Sequence, residues 1–76
     1  MKIIEKDLHN WFKKKDKKVN LNHNFIKNNT IDSFDLMELI SFCEKKYDFK
    51  FENKDLDIEK FNSIKNIIKI IKDRQK

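Results

Sequence analysis

Few side chains in this chain are of the types that carry out chemistry, and their spacing settles much of the question. Histidine occurs twice, as His9 and His23, and cysteine once, as Cys43. A zinc site gathers several Cys or His ligands at short spacings, and these three residues are too few and too dispersed to supply one. A nucleophilic enzyme needs a nucleophile paired with a base, and neither histidine has such a partner at catalytic spacing. Cys43 falls on an apolar stripe and reads as a small buried hydrophobe. Glycine is absent, so no Gly-rich phosphate loop exists. The residues therefore point to a chain that is not an enzyme and has no metal site. What remains is the pair Asp32-Ser33, a carboxylate beside a hydroxyl where a helical pattern begins. On residue grounds either of them can serve as the helix N-cap.

The elements that must position this pair follow from the hydrophobic period. Ile4, Leu8, Trp11 and Phe12 fall at i, i+4, i+7 and i+8, one face of a first helix over about 2–15. Lysines 13–15, 17 and 18 close it where the helix dipole favours cations. Residues 16–31 hold five asparagines and no sustained period, so they read as a long loop. Val19, Leu21, Phe25 and Ile26 are the candidates to pin that loop to a core, and a loop of this length in a small domain is usually functional. A second helix opens near Asp32-Ser33, with Leu36, Leu39, Ile40, Cys43 and Tyr47 as its inward stripe. Phe34, Met37 and Ser41 form a separate row that faces away from it. Residues 47–51 read as an extended connector burying Phe51, and a short helical turn is placed over 53–60 around Leu56 and Ile58. The last helix, about 63–74, takes Ser63 as N-cap and buries Ile64, Ile67, Ile68 and Ile71, with Lys65, Lys69 and Lys72 outside. The expected fold is all-α: a single domain over 1–76, a small bundle of three main helices plus one short helix, with a long loop after the first.

With neither glycine nor proline, the turns must rely on Asn and Asp, the next residues to tolerate positive φ. At 76 residues a core of this size supplies only roughly 3–5 kcal/mol of net stability. A lone cysteine excludes an intramolecular disulfide framework. The chain reaches charged residues before any apolar run suited to a signal peptide or a membrane span, which makes a cytoplasmic location the expectation. The net charge of +5 invites a nucleic-acid reading, but its distribution argues against one. Residues 1–31 carry +5, residues 32–59 carry −5 and residues 60–76 carry +5. The most sharply patterned helix is the acidic one, and a recognition helix bearing Asp35, Glu38 and Glu44 repels phosphates.

That helix begins Thr30-Ile31-Asp32-Ser33-Phe34-Asp35-Leu36-Met37-Glu38-Leu39. Here the chain resembles the acyl carrier protein family, whose hallmark is an Asp-Ser-Leu-like triplet opening the second helix. The resemblance extends to Phe25-Ile26 upstream, and downstream to Glu38-Leu39-Ile40, Glu44-Lys45-Lys46-Tyr47, Phe51 and Phe61-Asn62-Ser63-Ile64, about residues 20–72 in all. It implies that Ser33 carries 4′-phosphopantetheine, taken from coenzyme A by a phosphopantetheinyl transferase, with Asp32 assisting recognition. It further implies a standalone, monomeric carrier that presents a thioester-bound acyl or aminoacyl group to loading and transfer enzymes of fatty-acid, polyketide-like or specialised biosynthesis. No nucleic acid and no membrane span enter that picture.

The physical chemistry is compatible with this implication. A phosphodiester on Ser33 lies where free N–H groups and the helix dipole favour negative charge. Asp35, Glu38 and Glu44 offer basic partners an electrostatic handle, with Phe34, Met37 and Ser41 beside it as contact surface. The chain departs from the family at Phe34, where leucine is usual, and at Asn28-Asn29-Thr30, where a glycine is common. It departs most in its basic net charge, which leaves open both a housekeeping fatty-acid carrier and a dedicated carrier for a specialised pathway. The alternative from another class is a non-catalytic helical adaptor that binds a protein through the Phe34/Met37 face without cofactor.

Overall fold

The computed structural model describes residues 2–75; Met1 and Lys76 lie outside the described residues. Helix α1 spans Lys2–Lys14, α2 Ser33–Tyr47 and α3 Ile64–Arg74, with one 3-10 turn at Asn53–Leu56 and no strand among the described residues. The all-α bundle expected from the apolar periods is the observed one. Helix α1 packs on α3, and the first stripe is buried as its spacing requires, with Leu8 and Phe12 at 0 % exposure.

The long loop is held at several points. Phe25 is fully buried, and Val19, Leu21 and Ile26 are partly buried against the core. Two backbone bonds tie the loop to the start of α3: the Phe25 N–H donates to the Asn62 carbonyl at 2.9 Å, and the Lys65 N–H donates to the Leu21 carbonyl at 3.0 Å. The second of these uses a helix-start donor that has no intrahelical acceptor. Aromatic rings link the layers in sequence, Trp11 to Phe12 to Phe25 to Phe61 to Phe51 to Phe49, with centroid separations between 4.7 and 6.1 Å. Most of these contacts are edge-on, the arrangement that ring quadrupoles favour.

Asn and Asp do replace glycine at the turns. Asp16, Asn29 and Asp48 have φ of 63°, 52° and 54°, the left-handed region that non-glycine residues enter mainly as Asn or Asp. After α1, the Lys17 N–H donates to Phe12 O at 2.9 Å and the Asp16 N–H to Lys13 O at 3.0 Å, a Schellman closure. The same pair of bonds recurs at Thr30 to Phe25 and Asn29 to Ile26, 3.0 and 3.1 Å. At the end of α2, the N–H groups of Asp48 and Phe49 both donate to Glu44 O.

The structure corrects the sequence reading in four places. In α2 only Leu39 and Cys43 of the inward stripe are buried, while Leu36, Ile40 and Tyr47 are partly buried against the core. In α3, Ile70 is buried alongside Ile64, Ile67 and Ile71, whereas Ile68 is only partly buried. The turn after the connector shortens to Asn53–Leu56, leaving Ile58 61 % exposed; Leu56 packs partly buried against the core, and the buried residue there is Asp55. Phe51 is half-buried, its ring edge-on to Phe61 at 5.3 Å. Ser63 caps α3 as expected, accepting from the Asn66 N–H at 3.2 Å.

Candidate functional site

The start of α2 is built by a division of labour between two adjacent residues. Asp32 is the N-cap: its backbone is extended, and its carboxylate Oδ1 accepts from the Asp35 N–H at 2.8 Å. Ser33 is then the first helical residue. Its hydroxyl is exposed and has no hydrogen-bond partner among the described residues. The choice of cap that the residues leave open therefore falls to Asp32. With the Asp35 N–H committed, those of Ser33 and Phe34 are left without an intrahelical acceptor at the positive end of the helix dipole.

The surface beyond Ser33 is apolar and open. Phe34 is 82 % and Met37 66 % exposed, with Ser41 exposed one turn further on. On the other side of α2, Leu39 and Cys43 are fully buried. Burial pushes the Cys43 thiol up to about 12, so it is not a reactive thiol at neutral pH. His23 Nε2 lies 2.6 Å from Thr30 Oγ1, inside the loop, and His9 lies 3.9 Å from Glu5 one turn back on α1. Among the described residues neither histidine is hydrogen-bonded or ion-paired to Ser33, and no group of His, Cys, Asp and Glu could hold a metal ion.

The acidic residues of α2 do not form one uniform face. Lys15, from the end of α1, reaches across to Glu38 at 2.8 Å and Asp35 at 3.4 Å, while its ammonium stands 5.4 Å from the Trp11 ring centroid. The hydrogen bond to Glu38 holds the Lys15 ammonium above its ordinary range. Glu44 is half-buried, and its carboxylate accepts from the Phe51 N–H at 2.9 Å, so it also shapes the connector. Sequence patterning does not reveal either contact. Lys15 is one of a run of lysines, and nothing local distinguishes the one that folds back onto α2.

Two acyl carrier proteins resemble this chain over most of its length. That of Chlamydia felis (strain Fe/C-56) is 42 % identical over 57 residues, covering 75 % of this chain and 70 % of the relative. That of Chlamydia caviae is 42 % identical over 57 residues, covering 75 % and 71 %. The chain belongs to the acyl carrier protein family. No protein-family model and no solved structure matches it. As a member of the acyl carrier proteins, it has a carrier role in general, and carriers are not catalysts. No described helix is long and apolar enough to cross a membrane.

Proposed function

We propose that this acyl carrier protein bears 4′-phosphopantetheine on Ser33 and presents a thioester-bound acyl or aminoacyl group to successive biosynthetic enzymes. The observation that carries the reading is the capping of α2 by Asp32, which leaves the neighbouring Ser33 hydroxyl exposed and uncommitted. The residues present fit the group. A serine oxygen free of internal bonds is open to a phosphopantetheinyl transferase, and the N–H groups of Ser33 and Phe34 favour the negative charge of a phosphodiester there. When bound, the group supplies a flexible arm ending in a thiol that holds the cargo. The protein's own part is to fix the start of α2, through Asp32 and the bonded loop before it. Phe34 and Met37 then offer apolar contact surface beside the attachment point, and Asp35 and Glu38 offer charge to a basic partner surface. A cytoplasmic location and a monomeric state belong to the same reading.

The test is intact mass after incubation with coenzyme A and a broad-specificity phosphopantetheinyl transferase. The wild-type chain should gain one phosphopantetheinyl unit and Ser33→Ala none. Because Asp32 supplies the cap, Ser33→Ala should keep its helical circular dichroism, so loss of the mass gain reports on attachment. An equal gain by both proteins overturns the proposal. The exposure of Phe34 and Met37 favours one second reading, a cofactor-independent adaptor; partner binding that survives Ser33→Ala without any mass gain on wild type would select it.

A further inference from the structure

A groove of about 850 Å³ runs between the C-terminal half of α1 and the exposed side of α2, away from the α1–α3 contact. Its apolar surface comes from Trp11 and Phe42, and its rim from the lysines of both helices. The two carboxylates in it are already engaged. Asp7 accepts from the Tyr47 hydroxyl at 2.9 Å and lies 4.0 Å from Lys46, and Glu38 takes Lys15. Lys13, Lys14 and Lys45 remain; all three are exposed, and none is within ion-pair distance of a carboxylate among the described residues. Lys17 and Lys18 extend the same charge past the end of α1.

We propose that this groove docks an acidic, partly apolar segment of a partner protein, with Lys13, Lys14 and Lys45 pairing its carboxylates and Phe42 and the Trp11 edge receiving an apolar side chain. The inference stands independently of attachment at Ser33. Charge complementarity selects the occupant. Three unpaired cations flanking an aromatic floor attract carboxylates spaced around an apolar anchor. A nucleic acid fits less well, because no arginine, the usual reader of base edges, lines the groove. The lysines are solvated at present, so their pairing is expected to govern association rate and salt dependence as well as affinity.

Trp11 is the one tryptophan in the chain and reports from within the groove. The probe is a synthetic peptide of three Glu-Glu-Leu-Glu repeats, titrated into the full chain while Trp11 emission is followed. A saturable change that weakens as salt is raised is expected. Lys13→Glu/Lys14→Glu/Lys45→Glu should weaken it by roughly tenfold or more. The charge-matched control Lys65→Glu/Lys69→Glu/Lys72→Glu, on the exposed side of α3, should stay within roughly threefold. All six lysines are exposed, so both variants should match the parent in helical circular dichroism; if the groove reversal disturbs the fold, the milder Lys→Gln triple takes its place. An absent or non-saturable change, equal weakening in both triples, or tighter binding of a charge-matched single-stranded oligonucleotide than of the peptide overturns the proposal.

Discussion

Asp32 and Ser33 are neighbours that can each cap a helix, yet only one is committed inside the molecule. The carboxylate closes the first turn of α2, and the hydroxyl is left over. Asp32→Ala should therefore cost about 1 kcal/mol as a lost cap, read as a lower urea midpoint, whereas Ser33→Ala should leave stability within about 0.5 kcal/mol. A second pair, Asp55 and Arg74, is invisible to any local pattern. The single arginine donates through Nε and one terminal nitrogen to both Asp55 oxygens at 2.8 and 2.9 Å, with Glu52 beside it and the Glu52 N–H also donating to Asp55. Its guanidinium holds the buried Asp55 carboxyl below the usual range. The folded form thus releases that proton more readily than the unfolded chain does. The stabilisation is whole above the unfolded carboxyl pKa of about 3.9 and is lost as pH falls through the lower folded value. Thermal melts from pH 6 down to pH 2 should show this loss in wild type and a shallower pH dependence in Asp55→Asn/Arg74→Gln. Cys43 supplies a third outcome at this scale. With its thiol pushed up to about 12 by burial, it should resist iodoacetamide at pH 8 in the native state and react on unfolding in urea.

At the scale of elements, the chain ends its helices without glycine. Three left-handed residues, Asp16, Asn29 and Asp48, occupy places where glycine carries no steric cost. Asp48→Gly should be neutral or stabilising by up to about 1 kcal/mol, since relief of the left-handed backbone opposes the added freedom of the unfolded chain. Asp48→Val should lose about 1–2 kcal/mol, because a β-branched side chain is poorly tolerated there. Urea midpoints of the two variants check both signs. The spacing of apolar residues made α1 legible in full, because a helix with one buried face repeats its signal at every turn. Helix α3 was legible except at the flank, where Ile68 and Ile70 compete for the interior. The one-turn segment at Asn53–Leu56 was legible only as a turn around Leu56, because its buried residue, Asp55, is a charged one that needs a distant arginine.

For the whole molecule, the core depends on the loop as much as on the helices. Phe25 is fully buried between the Phe12 and Phe61 rings, at 5.4 and 6.1 Å. Phe25→Ala removes a large side chain at a cost of about 3–5 kcal/mol, comparable with the roughly 3–5 kcal/mol that a core of this size supplies. That variant should lose its near-ultraviolet circular dichroism and its cooperative urea transition at 25 °C. By itself the sequence determined the all-α class, the buried face of α1, the use of Asn and Asp in place of glycine, and the family resemblance centred on Asp32-Ser33. Each of these is written in residues a few positions apart, where backbone geometry alone relates them. Tertiary structure decided which of Asp32 and Ser33 caps α2, that Lys15 folds back to neutralise part of the acidic row, that Arg74 is spent on Asp55, and that unpaired lysines from two helices share one groove. Apart from the local Asp32–Asp35 cap, these are contacts between residues far apart in the chain, and their partners are chosen by which faces the packed core brings together, not by any period in the sequence.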